Sequence, residues 1–281
     1  MNKAPAWIFV ALIWRRKLIV ISALTTLGIV APATSQHSEV HCQHFFYGYP
    51  AGSPATNDLL IRDIYALSNN DDTKFADWVA YRIDASTVDG PSIGRNWKTD
   101  LWLDANETLE PNDYKDAHAN LKTDRGHQAP LAAFRGTGKA HETNYLSNIT
   151  PQKSDLNQGP WVRLENAVRD LARSEGVYVM TGPVYERDMP SLPKADETHK
   201  VPSGYWKIIA IEGGSGVKVA AFFFDQETAR SADICDHLTT IDAIETKTGL
   251  EFLWQLNDTV EATIESGSGD SLKGELGCSG G

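Results

Sequence analysis

This sequence has few cysteines, no long apolar run and no net positive charge. Three cysteines among 281 residues allow at most one internal disulfide. The apolar run 18–30 is shorter than the ~20 residues that a transmembrane helix needs, which disfavours a permanent membrane anchor. Acidic residues outnumber basic ones by 37 to 26, giving a formal net charge of −11. This balance argues against a protein that coats nucleic acid with a broadly basic surface, while a local basic cleft stays open.

The chain has ample apolar mass for a folded core. Hydrophobic residues make up 41% of it and charged residues 22%, with 22 Gly and 13 Pro. This composition excludes a disordered chain, a collagen and a coiled coil. The length would allow two domains. Because no internal repeat and no linker divides the body, we expect a single domain over residues 36–281.

Residues 1–35 have the pattern of a secretory signal peptide. A basic region precedes the apolar run, and small residues follow it as in a processing site. The basic residues of this leader are Lys3, Arg15, Arg16 and Lys17. Removing it lowers the number of Lys and Arg from 26 to 22 against 37 Asp and Glu, a net charge of −15. We therefore expect an exported, strongly acidic protein that is secreted or periplasmic.

In an exported chain two of the three cysteines can pair. The late positions of Cys235 and Cys278 predict a disulfide that holds the C-terminal tail on the body. Closing a loop of this length contributes roughly 3–4 kcal/mol in the chain-entropy model. Cys42 is then left over, either free or paired between chains.

Strand and helix patterns alternate along the body. Alternating β-branched and aromatic residues predict strands at 59–66, 75–83 and 177–181 and a hairpin of 205–211 with 217–224. The clearest amphipathic helix spans 157–174, and a shorter one starts near Thr239 and stops at Gly249. Residues 36–60 are interpreted as a polar surface segment. The fold class expected is α+β, with a central antiparallel sheet flanked by helices.

A histidine next to glycine is the first candidate for chemistry. Asp124-Arg-Gly-His127 follows an Asp-rich loop. His127 can accept a proton near neutral pH without tuning, and Gly126 allows a close approach of backbone or substrate. On its own, such a histidine is more often a structural or surface residue.

A row of polar residues at intervals of four is the second candidate. On a continuous helix Asn157 would lie on the apolar stripe, with Glu165 and Arg169 at its edge. A buried amide near a carboxylate is costly unless something polar sits there, and a hydrated Mg²⁺ would fit. Alternatively, Asn157 caps the helix, and Glu165 and Arg169 form a surface pair worth ~0.3–0.5 kcal/mol. From the residues alone the two interpretations have equal weight.

Two motifs together resemble those of a known family. Asp124-Arg-Gly-His127 is followed by Asn148-Ile-Thr-Pro-Gln and then by Asn157-Gln-Gly-x-Trp-x-Arg-Leu-Glu165. This succession is similar to the DNA/RNA non-specific endonucleases of the ββα-metal type, and within them to the secreted Serratia-type nucleases. The similarity extends over residues 74–278. It also includes Arg95-Asn-Trp-Lys-Thr-Asp100, Val179-x-Thr-Gly-Pro-x-Tyr185 and Pro202-Ser-x-Tyr-Trp-Lys207.

The resemblance implies a role for each matching residue of the centre. His127 would be the general base that deprotonates the attacking water. Asn157 would be the sole direct protein ligand of Mg²⁺, with Mn²⁺ as a substitute, and Glu165 would hold the ion's waters. Arg95 would neutralise charge on the phosphate, supported by Arg169.

Four further residues take supporting roles by the same resemblance. Asn144 and Asn148 would orient the base or the phosphate, and Asp124 would brace the metal shell or its loop. Arg125 would contact substrate. The family cuts DNA and RNA, single- or double-stranded, through contacts to backbone phosphates, and leaves 5′-phosphates. A homodimer and an inhibitor protein are further partners to expect.

Other interpretations carry less weight. A non-catalytic module that binds nucleic acid or protein on the same scaffold is the main alternative. His41 and His44 beside Cys42 would suit a zinc hydrolase, but no matching cluster follows them. Gly136-Thr-Gly-Lys139 lacks the Ser or Thr of a phosphate loop and predicts a turn. The family's early cysteine pair is absent, since Cys42 has no early partner.

Overall fold

A seven-stranded antiparallel sheet with the strand order β1-β2-β3-β6-β7-β8-β9 forms the centre of the protein. The structure is a computed structural model that describes residues 37–214, 216–267, 269 and 271–278. The strands of the sheet are β1 (Asp58–Ile61), β2 (Ala66–Asn69), β3 (Ala76–Ile83), β6 (Val177–Val184), β7 (Gly204–Gly213), β8 (Gly216–Asp225) and β9 (Leu238–Thr239). A separate two-stranded ladder pairs β4 (Thr123–His127) with β5 (Ile149–Lys153).

Helices lie on both sides of the sheet. They are α1 (Ala85–Val88), α2 (Ala117–Leu121), α3 (Ser154–Leu156), α4 (Val162–Leu171), α5 (Ile241–Thr248) and α6 (Asp258–Glu265). From Ser38 onward the described residues form one compact unit. The expected α+β class, an antiparallel sheet flanked by helices, is confirmed. In the described part of the chain no helix is long and apolar enough to span a membrane.

Two apolar cores lie on opposite faces of the sheet because strand side chains alternate. Along β7, Tyr205 and Ile209 pack into one core with α4, while Trp206 and Ile208 pack into the other with α5 and α6. Both faces are covered, so β7 is an almost continuous apolar run instead of an alternating one.

Two segments differ from the sequence-based expectation. The predicted strand 59–66 is divided in the structure. Residues 59–61 belong to β1, residues 62–65 form a tight turn closed by a hydrogen bond from the Arg62 amide to the Tyr65 carbonyl, and Ala66 begins β2. The predicted surface segment 36–60 carries Phe46, which is buried in the α5 core, and Ala51, which is also buried.

The predicted helix 157–174 is broken near its start. Gly159 has the non-helical angles φ −111° and ψ −115°, so regular helix begins only at Val162. Pro160 explains the break, because its ring disfavours helical angles at the preceding residue. The simple row of residues at intervals of four was therefore wrong for Asn157, which lies before the kink.

The tail is held on the core that contains α4. Leu272 and Leu276 are buried there, and Cys278 forms the predicted disulfide with Cys235. Cys42 is a free thiol. The predicted signal peptide, residues 1–35, lies outside the described residues, so the domain boundary at residue 36 stays a prediction.

Removing the disulfide should lower the free energy of unfolding by about 4 kcal/mol, because it closes a loop of 43 residues. Urea unfolding of the Cys235→Ser/Cys278→Ser variant measures this loss. Cys42→Ser is the matched control, since it removes a thiol but no cross-link, and we expect less than about 1 kcal/mol from it. An equal loss in both variants would contradict the assignment of stability to the cross-link.

Candidate active site

A cleft of about 640 Å³ opens between the β4–β5 ladder and α4. Seven of the nine predicted active-site residues line it: Arg95, Asp124, Arg125, His127, Asn157, Glu165 and Arg169. The other two, Asn144 and Asn148, are buried behind it. Residues that are 74 positions apart in the chain therefore meet at one surface.

The ladder sets the positions of Asp124 and His127. His127 pairs with Ile149 and Asp124 with Gln152, in antiparallel register. A Cβ atom on Gly126 would lie 2.7 Å from the Gln152 side chain, so this position of the ladder needs glycine. The glycine next to the histidine thus serves strand packing as well as access.

His127 is held against the wall of the cleft by Asn144 and Trp97. Its Nε2 lies 3.2 Å from Oδ1 of Asn144, and the Trp97 ring centroid is 5.2 Å away. Because an amide oxygen only accepts, Nε2 carries the proton and Nδ1 has the free lone pair. Asn144 therefore selects the tautomer in which Nδ1 can act as a base.

The environment keeps His127 neutral. Burial of the ring, followed by the positive charge of Arg95, lowers the pKa of His127 to about 4, although the Asn144 hydrogen bond opposes this shift. Part of the residue still reaches the cleft. A neutral, accessible imidazole is the protonation state that a general base requires at neutral pH.

Asn148 supports His127 from behind instead of facing the cleft. It is fully buried, and its Oδ1 accepts from the Ala129 amide at 2.8 Å. Its Nδ2 donates to the carbonyls of Ala129 and Thr143, both at 2.9 Å. These bonds join the chain after His127 to the turn before Asn144. Asn148 therefore holds together the two segments that carry His127 and Asn144.

Asn157 is oriented by Asp124. Its Nδ2 donates to Oδ2 of Asp124 at 3.0 Å, and Oδ1 is the atom of the amide that could coordinate a cation. Burial alone would raise the pKa of Asp124, but hydrogen bonds from Asn157, Gln158, Ser154 and His118 outweigh it and hold the pKa below its usual value. Asp124 is therefore a carboxylate at neutral pH.

The donors in this part of the cleft fit a hydrated magnesium ion. The amide oxygen of Asn157 and the carboxylate of Glu165 are oxygen ligands, which Mg²⁺ prefers. Among the described residues, the clusters of three acidic side chains lie elsewhere, so no dense carboxylate cage lines the cleft. Few protein donors suit an ion that keeps several of its waters.

Four arginines line the cleft in an otherwise acidic protein: Arg95, Arg125, Arg135 and Arg169. Arg125 donates to the Pro111 carbonyl at 2.7 Å and lies over the Tyr114 ring at 5.1 Å. Arg135 was not among the residues predicted from the sequence, because it follows the apolar residues of a 3₁₀ helix and belongs to neither of the motifs that resemble the family. Such a cluster attracts phosphates despite the negative net charge.

Lys207 is a second residue that the sequence analysis did not single out for function. It is fully buried on β7, and the charges of Lys207 and Glu165 interact. A signal was present, because a lysine interrupts the apolar run of this strand. Burial of a lysine in such a run is costly and points to a specific partner.

The structure separates the two histidines of the alternative zinc site. His44 is buried, with Nε2 3.0 Å from the Arg62 carbonyl oxygen, while the His41 side chain is 83% exposed beside Glu39. Gly138, in the glycine-rich segment before Lys139, has φ +69° and forms the predicted turn.

The fold and the cleft together indicate an enzyme that hydrolyses phosphodiesters. The cleft, on a strand pair followed by a helix, brings together a neutral imidazole, an oriented amide and an arginine cluster. These groups are suited to the hydrolysis of a phosphodiester.

The chain belongs to the DNA/RNA non-specific endonuclease family, whose sequence profile matches residues 45–259. It is 46% identical over 271 residues to a nuclease of Serratia marcescens, covering 94% of this chain and 98% of that protein. It is 31% identical over 216 residues to mitochondrial endonuclease G of Homo sapiens, covering 72% and 71% of the two chains. The predicted family is confirmed, and the protein is a nuclease.

The fold is also similar to a solved structure described as the EndoG/EndoGI complex, which concerns the mechanism of EndoG inhibition. The TM-score is 0.66 at 24% sequence identity, and the match covers 76% of this chain and 91% of the other. At this level of sequence identity, the structural similarity supports the assignment of the fold alone.

We expect the His127 imidazole to titrate near pH 4 in the metal-free protein, since burial and Arg95 disfavour its protonated form. Proton uptake by the unfolded chain at pH 4–6.5 then lowers stability as the pH falls through that window. Nuclear magnetic resonance of the ring carbons measures the midpoint. Arg95→Gln should raise it, whereas Arg163→Gln, on the exposed face of α4, should not. A wild-type midpoint at 6.5 would contradict the assignment.

Proposed function

We propose that this protein is an exported, Mg²⁺-dependent endonuclease that cleaves both DNA and RNA to products with 5′-phosphates. The observation that carries the proposal is the placement of the His127 ring and the Asn157 amide in one arginine-lined cleft. Membership of the non-specific endonuclease family supports the choice of both polymers. The oxygen donors of the cleft support magnesium, with manganese as a substitute.

In the proposed reaction His127 removes a proton from water through Nδ1, since Nε2 is engaged with Asn144. The hydroxide attacks phosphorus, the bond to the 3′ oxygen breaks, and that oxygen takes a proton from solvent. The products are a 5′-phosphate and a 3′-hydroxyl. Asn157 would hold the magnesium ion directly and Glu165 would hold its waters. When bound, the ion would stabilise the charge that develops on the phosphate and the departing oxygen.

The arginines bind the backbone and stabilise charge. Arg95 is exposed at the cleft and would neutralise a phosphate oxygen, with Arg169 beside it. Arg125 would contact a neighbouring phosphate. Backbone contacts carry no base information, which accounts for activity on unrelated sequences.

Export and partners complete the proposal. The leader pattern of residues 1–35 and the Cys235–Cys278 disulfide support a secreted or periplasmic location. The solved EndoG structure is a complex with an inhibitor. A cognate inhibitor and a homodimer stay predictions for this chain.

The direct test is cleavage of supercoiled plasmid and of RNA in Mg²⁺, with and without EDTA. We expect both polymers to be cut and EDTA to stop the reaction. His127→Ala should lose at least about 10²–10⁴-fold in rate, the usual contribution of a general base. His41→Ala, an exposed histidine outside the cleft, is the matched control. If the purified protein binds nucleic acid but cuts neither polymer, the binding-module alternative holds.

Substrate affinity should fall steeply with salt, because binding to phosphates releases counterions. Each lost phosphate contact lowers the slope of log K against log salt by about 0.9 on duplex DNA. We therefore expect a smaller slope for Arg125→Ala in a fluorescence anisotropy assay with EDTA present. Arg163→Ala is the control outside the cleft and should keep the wild-type slope. Equal slopes for wild type and Arg125→Ala would remove Arg125 from the interface.

A further inference from the structure

Two helices near the C-terminus bring acidic side chains together outside the cleft. Asp242 and Glu245 belong to α5, and Glu265 is the last residue of α6. One carboxylate oxygen from each of the three lies within 4.8 Å of the other two. We call these three residues the α5–α6 cluster. None of them lines the candidate active site.

Glu265 is buried in this cluster and has an oxygen without a hydrogen-bond partner. Its relative exposure is 7%, and its Oε1 is a buried atom to which no described group donates. Oε1 of Glu261, one turn earlier on α6, is in the same condition. Buried carboxylates in proteins are paired or bound to a metal ion, so these two atoms point to a positive partner.

The described part of the protein does not supply that partner. Among the described residues, no basic side chain forms an ion pair with the cluster or with Glu261. Lys247 of α5 is bound to Glu186 at 2.6 Å instead. The last turn of α6 contains no basic residue, although a helix C-terminus is the negative end of the dipole and favours a cation.

Acidic neighbours add to the cost of this position. Burial raises the pKa of Glu265 to about 8, and the further contributions come from carboxylates. In decreasing order these are Glu245, Glu261, Asp242 and Glu251. Glu261 and Glu265 are also four positions apart on one helix, a spacing at which like charges repel. At neutral pH either a proton or a metal cation must offset this repulsion.

The three oxygens of the cluster fit a calcium ion. Ca²⁺ binds about six to eight oxygen ligands, carboxylates and waters among them, at about 2.3–2.6 Å. Two oxygens bound to one such ion are at most about 5 Å apart, and those of the cluster meet this limit. Asp242 is exposed, so waters can complete the shell from that side. Because calcium tolerates irregular geometry while Mg²⁺ demands a near-ideal octahedron, a cluster that spans two helices suits calcium better.

We propose that Asp242, Glu245 and Glu265 bind a calcium ion that joins α5 to α6 and stabilises the C-terminal part of the fold. The ion would offset the charge of the cluster and cross-link two helices whose apolar residues Ile244 and Ile264 already share one core. This inference is independent of the cleavage chemistry. It draws on the proposed function only for export, since weak calcium sites are typical of extracellular modules.

The first test is the effect of calcium on the melting temperature, Tm. With a Kd of about 10⁻⁴–10⁻³ M, Ca²⁺ at about 10 mM should raise the Tm of the wild type by about 3–10 °C over its value in EDTA. The shift should persist in Asn157→Ala, which lacks the proposed cation ligand of the cleft. In that variant an equal concentration of Mg²⁺ should raise Tm clearly less. Equal shifts with the two ions would show charge screening alone and overturn the proposal.

Glu265→Gln separates ion binding from a structural role. Glutamine keeps the shape of the side chain but removes its charge, so we expect the calcium shift to be lost. In EDTA the Tm of this variant should equal or exceed that of the wild type, because a repelling charge is gone. Glu175→Gln, at an exposed position after α4, is the matched control and should keep the shift. A full calcium shift in Glu265→Gln would contradict the assignment.

A second variant covers the case in which Glu265→Gln does not fold. Asp242→Asn changes an exposed ligand and should weaken calcium binding in isothermal titration calorimetry about 10-fold or more. Unchanged affinity in Asp242→Asn would refute the proposed ligand set. If calcium leaves the Tm of the wild type unchanged at neutral pH, the cluster holds a proton instead and the proposal fails.

Cleavage assays keep this inference separate from the proposed function. Glu265→Gln should cut plasmid in Mg²⁺ as fast as the wild type, since Glu265 lies outside the cleft. A wild-type protein that shows the calcium shift but cuts neither polymer refutes the proposed function alone. A wild-type protein that cuts both polymers without a calcium shift refutes this inference alone.

Discussion

The hydrogen bond between Asp124 and Asn157 is the interaction on which the site depends. It joins the β4–β5 ladder to the segment that leads into α4, and it engages the amide nitrogen of Asn157, which lines the cleft. Asp124 can serve this purpose because His118 and Ser154 also donate to it, which favours its ionised form. A single half-buried carboxylate thus fixes the orientation of an amide that the sequence motif alone leaves free to rotate.

Around that bond, the charge of the cleft is opposite in sign to the net charge of the protein. The chain as a whole carries a formal charge of −11, yet four arginines converge on one cleft. Local potential, not net charge, decides whether a phosphate backbone is attracted at close range. The same arginines also act inward, because Arg95 disfavours protonation of His127 and favours the carboxylate of Glu165. Substrate binding would therefore alter both groups.

Much of the fold could be predicted from local pattern. The β7–β8 hairpin, β3, β6 and the helix that ends at Gly249 follow alternation, helical periodicity or turn residues, and they are present in the structure. The strand 59–66 was wrong only at 62–65, and the uniform helix 157–174 was wrong at its start. The turn between β1 and β2 and the Gly159–Pro160 kink depend on backbone angles that hydrophobic pattern does not report. The cysteine pairing was predicted from position, and the structure contains it.

The sequence by itself determined the residue types and the family, since the motifs around His127 and Asn157 are contiguous and specific. Only the tertiary structure decided which atoms of those residues can act. Asn144 leaves Nδ1 of His127 free, and Asp124 leaves Oδ1 of Asn157 free. It also decided that Lys207 is fully buried on β7. The physical reason is that hydrogen-bond direction and charge proximity arise from packing between distant segments, which no local periodicity encodes.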